Sequence, residues 1–153
     1  MGNVMSDQND NRWGWMWAIF TVRWVLGFIF LMAGWWKCFT MGPRAHAERF
    51  FLSETFRGSW IPEWLLWATG TATPVVELVA GAMVCLGLGK RYAYIALGAI
   101  LVMVTYGHLL ENALYDITSH IFPRLVLLTF LFIAPPRHDV LSADNVIGKL
   151  WSK

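Results

Sequence analysis

Charge is what this chain has least of. Of 153 residues only 14% are Asp, Glu, Lys or Arg, where a soluble domain carries about a quarter. So few charges cannot cover a water-facing surface, and 57% of the residues are hydrophobic. A soluble globular domain is therefore excluded, and the bilayer is the expected solvent. The net charge is only +2 and no basic stripe is present, so a nucleic-acid partner is not expected. Cysteine is scarce too. Cys38 and Cys85 fall near the ends of two apolar runs that must travel in opposite directions, which argues for two small packing side chains and against a disulfide. CxxC, the P-loop, GxGxxG and Gly-x-Ser-x-Gly are all missing, which leaves no soluble-type cofactor fold. Any chemistry must rest on a few groups at a membrane site.

What the chain does have is four apolar segments. Trp13–Trp36 is long enough to span with some tilt, and a second run extends from about Pro62 to Leu88. The third is Tyr92–Leu110, and the fourth, Ile121–Ala134, is stopped by Pro135-Pro136. The fourth falls below the usual ~20-residue span. Either the helix begins earlier, near Asp116, with Pro123 inside it, or it is short and sheltered by its neighbours. Pro123 suits a first helical turn and would kink an interior one, and a spanning helix with a ragged outer end is expected. The Lys90-Arg91 connection is a tight turn that makes the second and third helices antiparallel neighbours. In the longest connection, Phe39–Ile61, Gly42-Pro43 and Arg57-Gly58 bracket a short helix. Ala47, Phe50 and Phe51 share one face of it, while Arg44, Glu48 and Arg49 supply charge, so it is expected to lie on the membrane surface.

The fold class is thus all-α: an integral membrane four-helix bundle over residues 13–136 with a short amphipathic surface helix in the first loop. A polar N-terminal tail (1–12) and a polar C-terminal tail (137–153) flank it. The first run lacks a basic leader and a small-residue cleavage site, so it reads as a retained helix. Arg12, Lys90, Arg91, Arg137, Lys149 and Lys153 fall on one side. Lys37, Arg44, Arg49, Arg57 and, at the start of the fourth run, Arg124, offset by Glu48, Glu54, Glu63, Glu111 and Asp116, fall on the other. That bias predicts a multi-pass protein of the inner (plasma) membrane with both termini cytoplasmic and the long loop outside. Ten tryptophans gather where the runs end (Trp13, Trp15, Trp17, Trp35, Trp36, Trp60, Trp64, Trp67), as headgroup anchors do.

Two ionisable residues lie inside the apolar runs, Arg23 and Glu77. Charges at bilayer depth are costly and face a protein interior. Measured from Arg12, Arg23 is ~16 Å deep, and Glu77 is ~20 Å from Lys90, so the two are placed to meet. Pro74 would also free a helix carbonyl for Arg23 or a water. Two readings stand. One is an ion pair that fixes helix register; the other is a catalytic pair, Glu77 accepting a proton beside a quinone with Arg23 tuning it. A second cluster holds Lys37, His108, Glu111, Asp116, His120 and Arg124. A ferritin-like di-iron site needs two Glu-x-x-His pairs that this chain lacks, and no metal is expected. Lys37, His108 and Arg124 instead suggest a substrate site for a small oxyanion.

The stretch Arg23-Trp-Val-Leu-Gly27-Phe-Ile-Phe-Leu-Met-Ala-Gly34-Trp-Trp-Lys37 resembles the first-helix signature of DoxX/DoxD-like membrane proteins. Glu77-Leu-Val-Ala-Gly81-Ala-Met-Val-Cys-Leu-Gly87-Leu-Gly-Lys-Arg91 resembles that family's second helix. The tail Ala134-Pro-Pro-Arg137-His-Asp-Val-Leu-Ser142-Ala-Asp144 is similar to its closing pattern, though both glycines and a tyrosine differ. The resemblance implies a four-helix membrane subunit of a thiosulfate:quinone oxidoreductase, with Arg23, Lys37 and Glu77 carried over and quinone as cofactor. The alternative is a non-catalytic accessory or scaffold subunit bound to other subunits of a membrane complex, its close packing provided by Gly27, Gly34, Ala80, Gly81, Gly98 and Ala99. A carrier is disfavoured, because no inverted repeat is visible.

Overall fold

The computed structural model describes residues 2–114 and 118–151, with side chains from residue 11 to residue 150. The described residues are helical or in turns, with no strand. The order is α1 (Gly2–Trp35), a short widened helical stretch (Trp36–Met41), α2 (Pro43–Phe50), α3 (Glu54–Arg57), α4 (Glu63–Leu86), α5 (Lys90–Glu111), α6 (Phe122–Ile133), a single 3₁₀ turn (Pro136–His138) and α7 (Ala143–Trp151). One end of the bundle carries α2, α3 and the α5–α6 connection, and is called here the loop end. The other carries the α4–α5 turn and the segment after α6, and is called the tail end.

Three helical segments are long and apolar enough to cross a membrane: Asn11–Met41, Glu63–Leu86 and Lys90–Glu111. This is a membrane protein with three such spans. The fourth segment is shorter than expected. α6 has 12 residues, ~18 Å at 1.5 Å per residue, against a hydrocarbon core of ~30 Å. Pro123 sits in its first turn and the chain leaves the helix at Ala134, before Pro135. α6 packs along α1 and α5, sharing a core in which Leu26, Phe30, Val84, Leu97 and Leu128 are buried. A complete four-span bundle is therefore not what the helix lengths provide.

α1 and α4 form the main packing seam, and glycine makes it possible. A Cβ on Gly34 would collide with the backbone of Leu78, and one on Gly81 with the backbone of Leu31. Small residues at such points let backbones approach closely in a bilayer, where burial away from water is not available as a driving force between helices. α4 is closed by Gly87 in the left-handed conformation (φ +69), whose neighbourhood admits no side chain in any case. Trp35, Trp36, Trp60 and Trp64 are exposed at the loop end, and Trp13 and Trp17 at the tail end, as headgroup anchors require.

Three flanking features differ from the sequence expectation. The polar N-terminal stretch continues α1 back to Gly2. The amphipathic helix exists as α2, but its apolar face is turned onto α4: His46 and Ala47 are buried while Arg44, Glu48 and Arg49 point outward. Gly70 is the reason, since Ala47 sits where its side chain would be. The C-terminal stretch is not a free polar tail, because Asp139 and Ser142 are buried against the bundle and α7 follows.

Candidate functional site

Glu77 lies in the interior of α4, 3% exposed, and its partner is Lys37. The Lys37 Nζ donates to Glu77 Oε2 at 2.6 Å. Lys37 stands one turn beyond Gly34, the residue in closest contact with the Glu77–Leu78 backbone, so the α1–α4 seam aims it at the carboxylate. It belongs to the widened, π-type turns of Trp36–Met41, an irregularity found mostly at single functional or packing points of helices.

Pro74 shapes the other side of this region. Proline has no N–H, so the carbonyl four residues earlier, that of Gly70, loses its helical donor. His46 of α2 supplies the replacement, with Nδ1 2.8 Å from the Gly70 oxygen. A carbonyl can only accept, which assigns the proton to Nδ1 and leaves Nε2 as the acceptor of a neutral ring. Burial pushes the His46 pKa down, against an upward pull from the Gly70 bond, with nearby Lys37 lowering it further. The imidazole is thus a neutral group whose orientation is fixed by a proline-made gap in its neighbour.

A cavity of about 240 Å³ opens beside these groups. Lys37, His46, Thr73, His108 and Glu111 contribute its polar wall, and Phe50, Phe51 and Phe56 much of its apolar wall. It lies between α2 and α5 at the loop end. It offers no unpaired lysine, because Lys37 is already held by Glu77, and Glu111 faces the same space.

Arg23 serves the opposite end. Its Nη2 donates to the Leu141 carbonyl at 2.6 Å, and Nη1 lies 3.8 Å from Asp139. Asp139 also accepts from Lys90 Nζ at 2.7 Å, and Ser142 Oγ accepts from the same ammonium at 3.0 Å. Asp144 receives the backbone N–H groups of Gly89 and Lys90 at 2.8 and 3.3 Å, capping α5, while its own N–H donates to the Gly87 carbonyl. Arg23 lies against Gly87. A side chain at Gly87 would displace the guanidinium.

The expected Arg23–Glu77 pairing is therefore not formed. Arg23 is level with Gly87, ten residues past Glu77 on α4, ~15 Å along the axis. Taking Arg12 as the membrane edge placed Arg23 too deep, because α1 runs well beyond the turn that ends α4. Of the proposed anion-binding set, Lys37 and His108 line the cavity, whereas Arg124 lies over the ring of Phe30, 5.7 Å from its centroid. His120 is exposed beside Ser119, and Asp116 lies outside the described residues. Among the described residues no three His, Cys, Asp or Glu side chains converge as a metal site would need. Cys38 and Cys85 are free thiols, with Cys85 packed where a side chain on Gly27 would be. Sequence reading passed over His46, although Pro74 signalled a carbonyl in want of a donor. Asp139 and Asp144 were visible in the sequence only as members of the closing pattern in a polar tail, with no role of their own.

Residues 15–119 match the family model described as "Methylamine utilisation protein MauE". No curated protein and no solved structure matches the chain. The match overturns the DoxX/DoxD-like resemblance. The residues that carried that resemblance have general structural jobs here: Gly27, Gly34 and Gly81 close the α1–α4 seam, Lys37 and Glu77 pair across it, and Arg23 anchors the tail. Any tightly packed helix pair in a bilayer favours such residues, so they do not discriminate between families. The closing motif at 134–144 falls outside the matched segment. With the resemblance goes the support for a thiosulfate:quinone reaction.

Proposed function

This chain belongs to the MauE family, and we propose that it serves methylamine utilisation as a non-catalytic accessory component in the membrane, holding partner proteins of that process at the bilayer. The observation that carries this reading is the family match over more than half of the chain. The ionic chemistry of the bundle supports it. Glu77 and Arg23, the two buried charges best placed for catalysis by sequence, are both engaged in ties between segments. Removing one member of such a tie is costly, which is sufficient reason for their presence.

The loop-end cavity is the working surface in this reading. His46 and His108 give it imidazole nitrogens, and three phenylalanines give it an apolar side, a combination suited to holding part of a partner in place, while the Lys37 charge on its wall is taken up by Glu77. A methylamine-utilising host lacking this chain should fail to grow on methylamine yet grow normally on other carbon sources. Re-expression of a variant carrying Glu77→Gln together with Lys37→Met, which removes both charges at once, should restore growth. Normal growth of the deleted strain on methylamine would refute the proposal. Failure of the well-expressed double variant would instead return Glu77 or Lys37 to an active role.

A further inference from the structure

A second cavity has no part in that reading. About 510 Å³ in volume, it lies at the tail end between the start of α5, the end of α6 and the segment that follows. Its size is within the ~300–1,000 Å³ of small-ligand sites. Its wall is divided. Lys90, Arg91, Asp139 and Asp144 occupy one part, and Tyr94, Ile95, Leu131 and Phe132 another. Ile95 and Phe132 are about half exposed on the surface of the bundle, so the apolar part continues onto the face that lipid chains cover. The charged part lies where the spanning segment Lys90–Glu111 begins, at headgroup level.

The two carboxylates are already committed. Asp139 is shared by Lys90 and Arg23, and Asp144 accepts the first backbone N–H groups of the α4–α5 turn and α5. Against these two negative charges stand three positive ones: Arg23, Lys90 and Arg91. Arg91 is exposed, and among the described residues it pairs with no carboxylate. With the buried Arg23 behind Asp139, the cluster carries one more positive than negative charge, and Arg91 is the cation it leaves at the cavity wall, backed by an apolar groove open to the bilayer.

The geometry points to a binding site for an anionic phospholipid, with the phosphate group against Arg91 and Lys90 and an acyl chain along Ile95 and Phe132. Basic pockets between spanning helices at the membrane boundary recognise such headgroups. A guanidinium is well suited to a phosphate because it donates two parallel N–H bonds. The site also ties lipid to fold: Lys90 holds Asp139, so a phosphate at Lys90 would sit on the joint between the bundle and the C-terminal segment.

Native mass spectrometry of the full chain, released from nanodiscs of phosphatidylglycerol or of phosphatidylcholine, tests this directly. One phosphatidylglycerol should be retained and phosphatidylcholine should not. Arg91→Gln, an exposed change that leaves the Asp139 and Asp144 contacts in place, should reduce retention about fivefold. Arg57→Gln at the loop end should have no effect. Ile95→Gln should also weaken lipid retention. Equal retention of the two lipids, or unchanged retention in Arg91→Gln, would overturn the proposal. So would release of the bound lipid by millimolar inorganic phosphate with Ile95→Gln behaving as wild type, since that pattern describes a free-anion site.

Discussion

Exchanging Lys37 for methionine keeps an unbranched chain of similar length and removes its charge. Glu77, with a side chain only 4% exposed, then loses its partner. Stranding one member of a buried ion pair costs about 3–5 kcal/mol. Lys37 is 23% exposed and borders the cavity, so the pair is only partly withdrawn from water and the lower figure, about 3 kcal/mol, applies. For a chain of this size that corresponds to a fall of roughly 6–12 °C in Tm. Thermal unfolding in detergent, followed by tryptophan fluorescence, reads it. Glu77→Gln alone should cost less, because lysine can still reach water through the cavity. The double variant Lys37→Met/Glu77→Gln should recover much of the loss, giving a coupling of about 2 kcal/mol in a double-mutant cycle. Additivity within ~0.5 kcal/mol would show that the 2.6 Å contact carries no energy, and the register-fixing role of Glu77 would fall.

Three further perturbations test other joints. Gly34→Leu should prevent stable folding or cost at least ~3 kcal/mol, because even a Cβ there meets the backbone of Leu78; loss of a monodisperse peak in detergent chromatography would show it. Asp139→Asn removes the counter-charge of both Arg23 and Lys90, so a C-terminal tag should become sensitive to limited proteolysis while the spans stay intact; wild-type resistance would refute the docking role. Docking of α2 should weaken in acid. Burial holds the folded His46 pKa below its ordinary 6.5, so as pH falls through about 6.5 the unfolded chain takes up the proton before the folded one, and stability drops until the folded pKa is passed. His46→Asn, which keeps a donor for Gly70 but does not titrate, should flatten that acid limb, and an unchanged Tm profile between the two proteins would count against the assignment.

How much of this was legible in the sequence depends on the range of the interaction. The helices were, because apolar runs and Gly-Pro or Pro-Pro punctuation are local signals, and α4, α5 and α6 fall close to the expected runs. Glycine spacing foretold close packing, although not which backbones meet. The partners of Glu77 and Arg23 were not legible. Pairing depends on how far each helix projects, and α1 extends past the α4–α5 turn by an amount that no local pattern records. Pro74 carried a half-readable message: it announced an orphaned carbonyl, and only the fold says that His46, 24 residues earlier in the chain, satisfies it. Asp139 and Asp144 were hidden by composition, since a charged stretch after two prolines looks the same whether it is solvated or folded back onto Lys90.

The two ionic ties give α1 its particular role. At the loop end Lys37 fastens it to α4 through Glu77, and at the tail end Arg23 fastens it to the segment after α6 through Asp139 and the Leu141 carbonyl. Between the ties, glycines bring α1 and α4 into backbone contact. A helix pinned at both ends cannot shift along its neighbour without breaking a buried charge pair, each break costing about 3–5 kcal/mol. Each cavity touches this frame, the smaller at Lys37 and Thr73 and the larger at Ile19 and Asp139. The smaller one lies between α2 and α5, the larger one between α5, α6 and the folded-back segment, and α6 is the shortest of the apolar helices. The rigid pair is thus a frame, and the surfaces proposed to receive a partner or a lipid are completed by the elements held against it.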